Sequence, residues 1–208
     1  MTLTAHEVDE LKAAPAVDGI LPAVHRRWSA QAYSDRAVDE GILRKLFEAA
    51  RWAPSSNNEQ PWRFLVGLRG TATHDALMKS LKGFNLAWAP KAPVLILGVA
   101  LKNFSSNGKP NGYALYDLGA ATVLIALQAA EMGLNTHQMG GFEKKTAREL
   151  LDVPEEYELG SLMALGYQTD PDELGSEQLI AQEVAPRTRK PLNELVFSAW
   201  GEPATFVK

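Results

Sequence analysis

Arg51-Trp52-Ala53-Pro54-Ser55-Ser56-Asn57-Asn58-Glu59-Gln60-Pro61-Trp62 is the segment on which the reading of this chain turns. It leaves a helical pattern and enters an apolar strand, Phe64-Leu65-Val66-Gly67-Leu68. Its hydroxyls and amides supply short donors and acceptors that also fix local turns. Pro54 and Pro61 fence it, and the rings of Trp52 and Trp62 offer flat apolar walls. The combination suits a planar heterocycle with a polar rim. Taken alone, it suits equally a loop tied down by its own side chains.

The flanking sequence is mostly helical. Val38-Asp39-Glu40-Gly41-Ile42-Leu43 opens a helix that Asp39 can cap, with Val38 placed to staple onto Leu43. Apolar residues then recur at helical spacing at Ile42, Leu43, Leu46, Phe47, Ala49 and Ala50, until Pro54 ends the pattern. A short helix is expected over about Thr73 to Lys82, with Gly83 as its stop. Lys91 to Ala100 is apolar without alternation and predicts a central strand covered on both faces. Phe104 to Gly112 has loop composition. Tyr113 to Met132, closed by Gly133, predicts the longest helix, apolar on nearly every side and therefore a core element or a subunit contact. A helix over about Lys144 to Leu151 and a strand over Leu159 to Tyr167 follow. Thr169 to Pro186 is acidic and expected to be irregular. Mixed helix and strand without strict βαβ alternation indicates an α+β class.

Composition narrows the function. The 208 residues are a plausible single domain, with an N-terminal extension over about 1–20 and a C-terminal arm over about 187–208. A net charge of -4 argues against nucleic acid as a partner, because phosphate neutralisation needs a surplus of cations. No cysteine is present, so the chain can supply neither a disulfide nor a thiolate, and a reducing cytoplasm is the expected setting. Met1 to Glu10 has neither the basic start nor the apolar run of a signal peptide. Gly119 to Ala130 is too short for a spanning helix, so no membrane association is expected. Four scattered histidines give no metal-ligand spacing, and no nucleophile triad, P-loop or dinucleotide fingerprint occurs.

Three further segments join the serine-rich loop. Arg26-Arg27-Trp28-Ser29 lies upstream, Asn135-Thr136-His137-Gln138-Met139-Gly140-Gly141-Phe142 follows the long helix, and Arg187-Thr188-Arg189-Lys190-Pro191 lies near the C-terminus. Arginine offers a planar fork to phosphate oxygens and serine adds a hydroxyl. In an extended segment Arg187 and Arg189 present their side chains to the same side. Each segment also has a plainer reading: solvated arginines, a polar arm, a turn.

Read together, in this order and spacing from about Val24 to about Val196, the four segments resemble the FMN-dependent nitroreductase family. The serine-rich loop ending in Gln-Pro-Trp is the most specific of them. The resemblance implies a central, mostly antiparallel sheet flanked by helices and an interlocked homodimer with two shared active sites. It also implies FMN as cofactor and NADH or NADPH as donor. Flavin N5 would take hydride and pass it, by ping-pong use of one pocket, to a small-molecule acceptor such as a nitroaromatic or quinone, with no dedicated catalytic side chain. Arg27 and Ser29 match the phosphate-gripping pair, with Arg26 beside them, Trp28 as the spacer, and Arg187 and Arg189 as a second clamp. Pro54, Ser55, Ser56 and Asn58 match the loop that reaches the flavin of the opposite subunit, with Pro54 and Gln60 setting its shape. Asn85 matches a contact to the pyrimidine edge, and Gln138, Met139, Gly140 and Gly141 match the segment facing N5. Gln31 stands where the family usually carries a cation, and so does Trp88, which lowers the charge expected near the flavin ring. Those two changes keep open a flavin-binding sensor or carrier without turnover. A specialised flavin-fragmenting or dehalogenating member is a further alternative. His137 receives no catalytic role.

Overall fold

The computed structural model describes residues 3–207. Helices α1 (Ala5–Lys12), α2 (Pro22–Arg26) and α3 (Glu40–Arg51) precede strand β1 (Trp62–Leu68). Helix α4 (Ala72–Ser80) leads to β2 (Val94–Leu101), and α5 (Ala114–Glu131) to β3 (Asn135–Met139). Helix α6 (Lys144–Leu150) precedes β4 (Tyr157–Gly166), and α7 (Glu177–Val184) precedes a small hairpin, β5 (Phe197–Ala199) and β6 (Glu202–Pro203). The main sheet has order β1-β2-β4-β3, and every pairing in it is antiparallel. The expected α+β architecture is therefore observed.

β2 lies centrally and is buried along all but its last residue. Its pleat sends Leu95, Leu97 and Val99 to one face, beside Leu77 of α4 and Ala147 of α6. Val94, Ile96 and Ala100 go to the other, beside Leu43 and Leu46 of α3 and Leu118, Ala121 and Ile125 of α5. Burial on both faces explains why the strand shows no alternation in sequence. α5 lies close against the sheet because β4 carries glycine beneath it: a Cβ on Gly160 would stand 2.6 Å from a Leu118 methyl. Asp39 caps α3, accepting from the Gly41 amide at 2.7 Å.

α5 leaves part of its surface uncovered. Leu115, Tyr116 and Val123 are exposed, Tyr116 at 77%, as is Tyr113 at the helix N-cap. By length and composition its 18 residues could cross a membrane, but its inward face is packed on the sheet and α3.

Two expectations are corrected. α4 ends at Ser80, ahead of Gly83, because Leu81 turns extended and bridges Phe142. The acidic stretch 169–186 is not irregular: it holds a 3-10 turn at Pro171–Leu174 and helix α7, whose Leu179 and Glu183 are buried. Its many acidic residues obscure a short helix with one inward stripe.

Candidate functional site

α2 is a single turn begun by Pro22, and it stops at Arg26. Arg26 and Arg27 therefore lie at the end of a helix. Arg27 caps α2 with an extended backbone, donating its amide to Ala23 O at 2.9 Å, and the chain then leaves regular structure through Ser29 and Gln31. Arg187 of the C-terminal arm reaches back and donates to Arg27 O at 2.7 Å. Burial, then the neighbouring Arg189 charge, pulls the Arg27 guanidinium below its usual pKa. Burial, then Arg27 and Arg189, does the same to Arg187. Among the described residues none of the three is paired with a carboxylate. Three guanidinium groups that repel one another without a counter-charge form a site that favours an anion.

Arg26 does not belong to this cluster, because its guanidinium pairs with Glu131 at the end of α5. Trp28 is corrected too. Its ring is 2% exposed, packs with Val8 and Ala30, and donates through Nε1 to Asp9 of α1 at 2.7 Å. It is a packing anchor that fixes the segment between Arg27 and Ser29, and its side chain faces the core. Ser29 is exposed and free to face a ligand.

Gln31 is half-buried, and its Oε1 is enclosed without a hydrogen-bond partner. Trp88 is fully buried, with the His137 ring tilted against it at 4.4 Å between ring centroids and Tyr33 stacked on it at 6.3 Å. The indole thus occupies the core instead of lining a surface, and its Nε1 also lacks a partner. His137 engages Ala30 O through Nδ1 at 3.0 Å, and burial above all holds its pKa below the usual value.

The Asn85 and Gly141 segments meet. Asn85 Nδ2 donates to Gly141 O at 3.1 Å, and so does the Lys82 amide at 3.2 Å. A Cβ on Gly141 would stand 2.6 Å from that Nδ2 and would push the Asn85 amide out of this position. Gln138 at the end of β3 is exposed, with its Oε1 accepting from Ser161, whereas the Met139 side chain is buried. Met139 can therefore offer a ligand its backbone only. Gly140 is exposed.

The serine-rich loop folds by its own bonds. Ser55 Oγ accepts from the Gln60 amide at 3.0 Å, and Gln60 Nε2 donates to Asn58 O and Oδ1. Asn57, Asn58 and Gln60 all have positive φ, near +50°. Pro54 is exposed at the loop's entry, and Gln60 shapes the loop as expected. A buried tie to the rest of the chain is Asp117 of α5, 3% exposed, whose Oδ2 accepts from the Ser56 amide at 3.0 Å, and Glu59 Oε1 accepts from the Ser105 amide at 2.9 Å. Asp117 and Glu131 lie 14 residues apart on α5, about 21 Å along its axis at 1.5 Å per residue. The loop sits near one end of that helix and the arginine segment near the other.

Sequence reasoning missed two buried carboxylates. Asp117 was legible as an acid inside an apolar helix. Glu183 lies four residues after Leu179, on the inward stripe of α7, within a stretch taken as irregular.

The nitroreductase family model matches residues 24–167, and the chain belongs to that family. An NADH dehydrogenase of Thermus thermophilus is 30% identical over 88% of this chain and 96% of its own length. A solved oxidoreductase containing FMN superposes with a TM-score of 0.82 at 29% identity, covering 90% of this chain and 94% of its own. An FMN-dependent nitroreductase of Clostridium difficile R20291 superposes at 0.59, with 28% identity over 69% of this chain and 84% of its own.

Proposed function

We propose that the protein is an FMN-dependent oxidoreductase that uses NADH or NADPH to reduce a nitroaromatic, quinone or similar electron-poor small molecule. The observation that carries this reading is the unneutralised trio of Arg27, Arg187 and Arg189, supported by the FMN in a close structural neighbour. FMN, when bound, supplies hydride acceptance and delivery at N5. The arginines, with Ser29, hold its phosphate. The enclosed Gln31 Oε1 and the free Oδ1 of Asn85 hold the polar edge of the ring. Gly140 and Gly141, bare of side chains, leave the backbone open to N5. No side chain here is assigned to move a proton, and water serves that need.

The separation along α5 supports a site built by two chains. Ser55, Ser56 and Asn58 cannot readily join the Arg27 cluster of their own chain, whereas a second copy packed on the exposed face of α5 would bring them to it. The fractional exposure of Trp52, 73% beside that loop, is relieved by the same pairing.

The test is to purify the protein, identify the released cofactor by mass, and add NADH or NADPH without oxygen. A yellow protein that yields FMN and bleaches rapidly supports the reading. Recovery of FAD or of no flavin overturns the cofactor assignment. A yellow protein that stays oxidised with both donors overturns turnover and leaves a flavin-binding carrier.

A further inference from the structure

We propose that Glu183 is the positioning residue of the cofactor cradle: carried on α7, its carboxylate fixes the Gln31–Ala32 backbone and so sets the direction of the Gln31 side chain. This rests on the reading of Arg27 to Gln31 as that cradle. Both Glu183 oxygens lie 3.0 Å from the Gln31 amide nitrogen, and Oε1 is also 3.0 Å from the Ala32 nitrogen. A carboxylate accepts from two adjacent amides without offering a donor, which no neutral side chain does equally well. Glu183 is 1% exposed, 152 residues distant from Gln31 in sequence, and outside the residues that match the family model.

The surroundings hold this carboxylate in place. Lys12 of α1 is itself buried, with its ammonium donating to Gln182 O and Ala185 O and lying 5.1 Å from the Trp28 ring centroid. It clips α1 to the end of α7. Four other groups face the pair: Asp9 of α1, the buried Tyr33 phenol, Arg187 of the arm beside Lys12, and the amides themselves. Burial raises the Glu183 pKa most. The two amides and Lys12 oppose the rise, and Asp9 adds to it. The balance leaves the carboxyl easier to protonate than an ordinary glutamate. A proton removes one acceptor site and loosens Gln31.

The geometry makes two measurable demands. Glu183→Gln turns an NH2 group toward one amide donor, and FMN affinity should fall roughly two- to tenfold at neutral pH, the size of one ordinary hydrogen bond. The affinities of the two proteins should converge as pH falls, because the wild-type carboxyl is protonated there. A packing defect alone would give a pH-independent ratio. Riboflavin, which has no phosphate to titrate, should show the same convergence. In a double-mutant cycle, Gln31→Ala should absorb most of the effect of Glu183→Gln.

The experiment is fluorescence titration of wild type, Glu183→Gln, Gln31→Ala, the double variant and Arg27→Ala with FMN and riboflavin from pH 5 to 8. Loss of FMN affinity in Arg27→Ala but not in Glu183→Gln overturns the positioning role and leaves the cradle standing. Additive effects in the cycle also overturn it. Unchanged affinity in both Arg27→Ala and Glu183→Gln overturns the cradle reading itself. If Glu183→Gln does not fold, Gln31→Ala decides the matter: its riboflavin affinity should lose the pH dependence of the wild type, and a retained dependence overturns the proposal.

Discussion

The arginine segment and the serine-rich loop are built on opposite plans. Arg27 to Ala32 is fastened from three directions within its own chain: Trp28 to Asp9 of α1, Gln31 and Ala32 to Glu183 of α7, and Arg27 O to Arg187 of the arm. Ser55 to Gln60 holds its shape mainly through bonds among its own residues, with Asp117 as one buried tie, and leaves Pro54, Asn57, Asn58 and Gln60 exposed. A segment that must hold a charged group at fixed spacing gains from long-range anchors. A loop that must reach another chain gains from a preformed shape and an open face. One buried acid on a helix takes part in the anchoring in each case, Glu183 in the first and Asp117 in the second.

The largest expected effect sits in the first region. Arg27→Ala should weaken FMN binding about ten- to a hundredfold, equivalent to roughly 1.5–3 kcal/mol, and Arg189→Ala should act in the same direction. Arg69→Ala, at a surface arginine paired with Asp35, should leave the affinity unchanged. Equal titration curves for all three would break the assignment of the arginine segment to phosphate.

In the second region, Asp117→Ala leaves the Ser56 amide without its acceptor and should cost about 1–3 kcal/mol of stability, read as a lower denaturation midpoint. If the loop serves the partner's site, this variant should also release FMN at higher protein concentration than wild type. A dilution series followed by light scattering and flavin fluorescence checks both points. Flavin retained stoichiometrically by a monomer would exclude the shared site.

Ser55→Ala removes only the acceptor for the Gln60 amide, at an exposed position, and should cost about 1 kcal/mol or less. A loss as large as that of Asp117→Ala would show that local bonds, not the α5 anchor, hold the loop.

The smallest effect is in pH. The folded pKa of Glu183 lies above its ordinary value, so folding takes up a proton there. Its unfavourable contribution to stability is fully present above the folded pKa and disappears as pH falls to the ordinary carboxylate range. Wild type should therefore gain melting temperature relative to Glu183→Gln as pH falls through the folded pKa, while its FMN affinity falls. The two trends run in opposite directions, and melting curves paired with titrations will show whether they separate.

Much of the architecture was legible because it is local. Periodicity located α3, unbroken apolar runs located α5 and β2, Asp39 marked a cap, and Gly133, at φ +73°, marked the end of α5. The serine-rich loop was legible as a preformed turn because Ser, Asn and Gln bond to nearby backbone. α7 was not, since its acidic surface masks two inward residues. The end of α4 was not, since Leu81 obeys a bridge to a residue 61 positions away.

The sequence by itself determined the kind of residues available: cations for an anion, amides for a heterocycle, glycines for close approach, and an apolar helix in want of cover. The tertiary structure decided which of them act together. It gave Arg26 to Glu131 and Trp28 to the core, and it grouped Arg27 with Arg187 and Arg189 across 160 residues. It also placed the serine-rich loop and the arginines toward opposite ends of α5. The physical reason is that local bonding follows from neighbours in the chain, whereas the pairing of buried charges and amides depends on which helix the packed core brings beside them.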